Sequence, residues 1–431
     1  MIISLIIPSR ERVQYLKETI RTALRIEDDQ LEIIISDNAS EDGTREIVEQ
    51  VSDSRLKYIN TGQRISMRQN FEFGLQHSTG DYVIYIGDDD AILPGQFPFL
   101  RQILQQQRPD SLSWDRPTYG WPIDGYGRRT GSVKLQRDRV YGRIDQVDCV
   151  ESKQRLLACD LGDMGPKPAI YHGCISRVFL NRIAGPDGTL FRSSIPDVYV
   201  TYQAVLHNIH ALHSPHPFSL NGYSPASTGG GHGGYDAKDP RSRPGHQFSK
   251  EIRQDPVKDV MKHALSVPLV FFSTLETIRS LSSTPIEAPD YRAWYHFVLS
   301  STRSSDQETT RLLQTILAEH AERTGTQSEL ATATKTPATI VAKLRKYTAR
   351  FEKIRALRHR KRVSAEIDGQ NNSLTAAITY DHVLGGDYAG IHDGSRTSAE
   401  CWKAAMRRCR TPRSLGRREI EKNADPLLKS T

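Results

Sequence analysis

The chain has 431 residues, 37% hydrophobic and 25% charged, with a net charge of +7 and a pI near 9.0, the profile of a globular protein with some irregular segments and more than one compact unit. No run approaches the roughly 20 apolar residues a membrane-spanning helix needs. Five cysteines without a Cys-x-x-Cys pair argue against a disulfide framework.

From the start of the chain, strand and helix signals alternate. IISLIIP is a β-branched run ending at Pro8, and Val13, Leu16, Ile20 and Leu24 then recur at helical spacing. LEIIISD predicts a second strand ending at Asp37, followed by turn residues and a second helix. LKYIN predicts a third strand, residues 66–77 a helix, and DYVIYIG a fourth strand. Continuous apolar strands between helices imply a parallel sheet covered on both faces, with ligands beyond the carboxyl ends of the strands. Pro8-Ser9-Arg10, Asp37-Asn38 and Asp88-Asp89-Asp90 all fall at that edge.

Residues 110–170 carry Pro, Gly, Trp114, Trp121 and short β-like pieces, which predict loops and a small mixed region. YHGCISRVFLNRI, from 171, has strand and then helix character, and SSIPDVYVTYQAVLHN sets Asp197 behind a proline at the head of a helical run. The Gly- and Ser-rich stretch at 218–245 reads as a mobile loop and a domain edge. Residues 250–330 turn helical. Residues 338–362 set Ile340, Leu344, Tyr347, Phe351 and Ile354 on one face among many Lys and Arg, and the last seventy or so residues are polar with weak periodicity.

The chemistry concentrates in IYIGDDDAILPG. Three like charges ending an apolar strand repel one another, and a shared hard cation, Mg²⁺ or Mn²⁺, relieves that while binding substrate phosphates. DDD alone reads as a solvated acidic turn; the apolar run before it and ILPG after it argue against that reading. Asp197, taken alone, reads as a helix N-cap. Arg68 reads equally as a phosphate partner or a surface arginine. His213, His216 and His232 cannot be told apart as ligands from the sequence.

SLIIPSRERVQYLKETIRTAL, LEIIISDNASEDGT, GDYVIYIGDDDAILPG and IPDVYV together resemble, in order and spacing, the successive motifs of family 2 glycosyltransferases over about residues 1–235. The resemblance implies a GT-A fold, α/β and Rossmann-like, with a mostly parallel sheet flanked by helices. It also implies a metal-dependent, inverting transfer of a sugar from a nucleoside diphosphate donor, with UDP the expected nucleotide. The acceptor would be a saccharide or lipid-linked glycan in surface polysaccharide biosynthesis. Nucleic acid is not an expected partner, because no stacking aromatics interleave with the charges of the basic segment. Pro8, Ser9, Arg10, Asp37, Arg68 and Asp88 then lie on the nucleotide-sugar, with Arg64 a weaker candidate. Asp89 and Asp90 are the expected metal ligands, His232 a further one, and Asp197 the catalytic base. The commonest family motif is Asp-x-Asp-Asp, and Gly87 stands at its first position.

The expected organisation is a transferase domain over 1–235, a helical extension over 236–335, a basic amphipathic helix over 336–363 and a polar, partly disordered tail over 364–431. The basic helix suits either an anionic membrane surface or packing on the catalytic domain. The opening residues lack a basic leader, so the expected location is cytoplasmic, with peripheral contact at the inner membrane face. Two enzyme rivals fit less well. A template-dependent polymerase shares the Gly-Asp-Asp turn but needs another carboxylate motif upstream. A nucleotidyltransferase opens with a Gly-rich phosphate loop where this chain has PSRERVQYL. A degenerate domain serving as a binding or scaffolding module would have lost Asp89 or Asp197, and both are present.

Overall fold

The computed structural model describes residues 1–122, 130–163, 165–225, 250–252, 255, 260–262, 264, 266–300, 307–335 and 360–409. Strands β1 (Ile3–Ser9), β2 (Leu31–Asp37), β3 (Leu56–Asn60) and β4 (Tyr82–Tyr85) alternate with helices α1 (Val13–Leu24), α2 (Thr44–Glu49) and α3 (Met67–Gln76). They pair in parallel in the order β3-β2-β1-β4, with Ser9 level with Asp37 at the carboxyl edge.

The remaining strands are β5 (Ala91–Ile92), β6 (Ser111–Trp114), β7 (Thr118–Gly120), β8 (Ser132–Gln136), β9 (Asp145–Gln146), β10 (Gly173–Ser176), β11 (Ala211–Ser214), β12 (Ser219–Tyr223) and β13 (Arg360–Ser364). Beyond β4 the first sheet continues β10-β6-β11-β9. Because β10 is antiparallel to both neighbours, β6 points the same way as β4. A second sheet runs β13-β8-β7-β12-β5, so it begins at the strand that directly follows the aspartates.

Successive strand residues point to opposite faces, and the two faces feed two cores. Ile3, Leu5 and Ile7 join Leu16 and Ile20 of α1, the second sheet and the C-terminal helices. Ile6, Ile34, Val83 and Tyr85 join Phe71 and Leu75 of α3 and a helical layer. That layer comprises α5 (Cys149–Leu157), α6 (Arg177–Ile183), α7 (Pro196–Leu206) and, from the expected helical extension, α8 (Val267–Leu281), α9 (Tyr291–Ser300), α10 (Gln307–Thr324) and α11 (Gln327–Lys335). α4 (Phe97–Gln107) packs on the first core. The α/β sheet flanked by helices and the helical C-terminal region are as the sequence predicts.

The tail departs from expectation over residues 360–409. Residues 360–363 belong to β13, which pairs antiparallel with β8, rather than to a basic helix. Residues 364–409 are ordered, with α12 (Ser373–Leu384), α13 (Tyr388–His392) and α14 (Ser398–Arg408). α12 is buried almost all round and packs on α1, so it has little of the one-sided pattern that marks a surface helix. Its Leu374, Val383 and Leu384 are fully buried, each worth about 1.5–3 kcal/mol of apolar burial. Residues 336–359 and 410–431 lie outside the described residues. No described helix is long and apolar enough to cross a membrane.

Candidate active site

The carboxyl edge of the first sheet gathers the predicted residues. Ser9, ending β1, donates to Asp88 Oδ2 at 2.7 Å, and Arg12 donates to Asp88 Oδ1 at 2.6 Å. Burial, with Asp89 adding to it, pushes the Asp88 carboxyl up to about 6 against the opposing pull of Arg12 and Ser9. Burial opposes the charge on Arg12, yet Asp88 and Asp89 together raise its pKa. Arg12 is a residue that sequence reasoning missed: it lies in the quoted PSRERVQYL stretch, but no spacing rule singles it out.

Asp90, 1% exposed, is held on every side. Its Oδ2 accepts from the Gly87 amide at 2.6 Å and the Tyr171 hydroxyl at 2.7 Å, and lies 3.0 Å from His172 Nε2; its Oδ1 accepts from the Gly222 amide at 2.7 Å. Burial would raise this carboxyl, but His172, Tyr171 and Gly87 outweigh it and hold it below the usual carboxylate range. His172 in turn meets Ser219, which accepts from the Trp114 indole. These partners lie just after β4, in β6, just before β10 and in β12, which only the tertiary fold assembles.

Asp89, 5% exposed, accepts from the Ser224 hydroxyl at 2.5 Å, and its carbonyl accepts from the Trp121 indole at 2.8 Å. The Thr19 hydroxyl of α1 sits 2.8 Å and 2.7 Å from the Asp88 and Asp90 carbonyls. Two glycines are closely packed, Gly222 against backbone and Gly87 against side chains of the site. A Cβ on Gly222 would lie 1.7 Å from the Asp89 carbonyl oxygen, and one on Gly87 would lie 2.8 Å from the Tyr171 hydroxyl. A side chain at 87 would thus meet Tyr171 and its carboxylate neighbours, a physical reason for the departure from Asp-x-Asp-Asp.

Asp37 is fully buried and accepts from Tyr58 at 2.6 Å, Asn60 at 2.9 Å and the Ser40 amide at 3.1 Å. Pro8 is level with Ser36 on the neighbouring strand. Asn70 ties α3 to β2 through Ser36. Two predicted arginines bond to carboxylates from residues 250–255: Arg10 to Glu251, and buried Arg68 to Asp255 at 2.8 Å and to the Phe191 carbonyl at 3.1 Å. Arg64 pairs with Glu11 on the surface. His232 lies outside the described residues. His213, against Ser113, is pushed down to about 4 by burial, and fully buried His216, stacked on Tyr388, to about 3.

Asp197 is partly exposed in the first turn of α7, behind Pro196 at the helix start. The cap position is Ile195, which has no side-chain cap bond, so Asp197 is not the N-cap. Burial raises its carboxyl pKa, and the Val198 amide, Arg116 and Lys167 oppose the rise. One turn on, Thr201 donates to the Pro168 carbonyl at 3.0 Å, which ties α7 to the segment entering Tyr171 and β10.

The donor set is made of carboxylate oxygens, which suit a hard cation. Among the described residues no three His, Cys, Asp or Glu side chains are grouped to cage a metal. A Mg²⁺ or Mn²⁺ ion held by one or two carboxylates and substrate phosphates needs no such cage, so the residues fit one.

Residues 4–157 match the family model described as glycosyl transferase family 2, so the resemblance read from the sequence holds over that stretch. The chain is 33% identical over 103 residues to the GalNAc(5)-diNAcBac-PP-undecaprenol beta-1,3-glucosyltransferase of Campylobacter jejuni, covering 23% of this chain and 33% of that protein. It is 32% identical over 112 residues to the abequosyltransferase RfbV of Salmonella typhimurium, covering 25% and 34%. The chain therefore spans about a third of the length of these relatives. Among solved structures, S. aureus TarS 1–349 in complex with UDP-GlcNAc is similar with a TM-score of 0.42 at 15% identity, over 77% of this chain and 90% of that one. The mannosyltransferase PcManGT of Pyrobaculum calidifontis with GDP-Man and Mn2+ has a TM-score of 0.35 at 16% identity, over 77% and 85%.

Proposed function

With residues 4–157 matched to glycosyl transferase family 2, we propose that the protein is an inverting glycosyltransferase that uses a nucleoside diphosphate sugar, with UDP the expected nucleotide. The acceptor is a saccharide or a lipid-linked glycan in surface polysaccharide biosynthesis; the name of the Campylobacter relative, which carries a diphosphate-linked lipid, supports that class. The observation that carries the reading is the buried turn at 88–90 on the sheet edge, with Asp197 in the first turn of a helix tied to the segment before β10 that braces it.

In this reading Asp37 and Pro8 border the base and ribose, Ser9 and Arg12 orient Asp88, and Asp89 is the metal ligand, with His232 a further candidate. Asp90 keeps the turn in shape. Arg10 and Arg68 reach the donor where their bonds to Glu251 and Asp255 give way. Asp197 takes the proton from the acceptor hydroxyl as that oxygen bonds to the sugar carbon and the bond to the diphosphate breaks. A raised pKa improves a carboxylate as a base provided it stays ionised, and Arg116 and Lys167 favour the ionised form. A bound Mg²⁺ or Mn²⁺ would neutralise charge on the leaving diphosphate. The location is cytoplasmic, with peripheral membrane contact through the basic stretch 338–362, whose end is the cationic strand β13.

Calorimetry with UDP, GDP and dTDP, each with Mn²⁺, Mg²⁺ or chelator, tests the reading. Metal-dependent binding of one nucleotide is expected. No binding under any condition would sink the donor site and favour the scaffold alternative.

A further inference from the structure

The two cations that favour the ionised form of Asp197, Arg116 and Lys167, have no contact with substrate in the mechanism so far. Arg116 lies two residues beyond β6, at the same sheet edge as the aspartates. β10 lies between β4 and β6 and is antiparallel to both, so the chain leaves β4 toward Asp88 and β6 toward Arg116 at one edge of the sheet. Lys167 adjoins Pro168, whose carbonyl accepts from Thr201, and Thr201 shares a helix face with Asp197 at i and i+4.

Both cations are exposed, and neither makes a hydrogen bond or ion pair among the described residues. The acidic groups within their electrostatic reach are few. Asp115, next to Arg116, is 3.7 Å from Arg139, and Asp197 is shared between the two cations, which also act on each other. Arg116 further acts on Tyr171, whose hydroxyl is committed to Asp90. Two mutually repelling cations thus act on one partly exposed carboxylate, Asp197. A guanidinium fork beside an ammonium suits an oxyanion.

We propose that Arg116 and Lys167 form an anion subsite on the acceptor side, which receives a phosphate or carboxylate group carried by the acceptor next to the hydroxyl facing Asp197. The inference rests on the transferase reading, since it takes Asp197 as the acceptor-side base. The shared chemistry is an oxyanion, supplied either by a phosphate linkage or by an acidic sugar.

The test is calorimetry on the full chain, with the donor site filled by UDP and Mn²⁺ and again without UDP, titrated with glucose 1-phosphate, methyl glucuronide and methyl glucoside. An anionic probe is expected to bind at least about tenfold tighter than methyl glucoside, the worth of one charge-assisted hydrogen bond. The better probe tells phosphate from carboxylate. Arg116→Gln with Lys167→Gln should abolish the preference while UDP affinity stays unchanged. If the two cations served only to keep Asp197 ionised, the double variant would shift the pH profile of transfer and leave probe binding alone. UDP binding with no preference for either anionic probe, or a preference that survives the double variant, would overturn the subsite and spare the transferase reading. Absent UDP binding with an anionic preference lost in the variant would do the reverse.

Discussion

The two sheets treat the aspartate turn differently. The first, through β1 and β4, brings Ser9 and Asp88–Asp90 to one edge, where parallel strands direct their carboxyl ends. The second holds that turn in shape: Gly222 donates to Asp90, and the strand following the turn, β5, pairs with β12. The hold extends into the C-terminal helices, since Asp381 of α12 accepts from the Gly95 amide at 2.9 Å and from the Gln96 side chain at 3.0 Å. The first sheet supplies the charged groups and shares with the second the task of holding them, through Thr19 of α1 and through Tyr171 and His172, so substitutions at supplied groups and at holding residues should fail differently.

The largest effect is expected at the supplied groups. Asp89→Asn should cut kcat/KM about a thousandfold or more, equivalent to ~4 kcal/mol of transition-state stabilisation, with the thermal midpoint little changed. Asp197→Asn should lower kcat by about a hundred- to ten-thousandfold with nucleotide affinity intact. Steady-state kinetics beside UDP calorimetry separates the two, and full activity in either variant removes that residue from the mechanism. Among the holding residues Gly222→Ala should instead cost about 3 kcal/mol of stability, because its Cβ meets a backbone carbonyl that cannot swing aside. Denaturant melts measure this; a cost under about 1 kcal/mol would mean that the aspartate turn moves away from β12 easily.

Asp381 sharpens the comparison through pH. Burial pushes its carboxyl up to about 6 from an ordinary 3.8, with the Gly95 and Gln96 donors only partly opposing. The folded state then keeps a proton that the unfolded chain releases, so this group's contribution to stability is full below about pH 4, falls as pH rises to about 6 and is flat above. Asp381→Asn should lessen the slope of the stability profile across that window, leaving the share of Asp88, which is raised to about 6 as well; an unchanged slope would assign the titration elsewhere. The smallest effect is expected of Tyr171→Phe, about 1 kcal/mol, because Asp90 keeps its amide donors. Nucleotide affinity should weaken a few-fold in parallel, and strengthened binding would show that Tyr171 does not brace the donor side.

The sequence by itself determined the first sheet and its edge. β-branched runs alternating with amphipathic helices admit little but a parallel sheet, and that topology brings Ser9, Asp37 and Asp88–Asp90 to one side whatever the rest of the chain does. It also marked Asp197, through a proline before a helical run. Only the tertiary structure decided what surrounds these groups. Tyr171, His172, Gly222 and Ser224 reach the aspartates from 81 to 135 residues away by sequence, over pairings that no local period encodes. The same reason hid residues 360–409: a helix buried on most sides and a strand with one buried valine lack the one-sided pattern of hydrophobicity, and they acquire meaning only against the sheet they close.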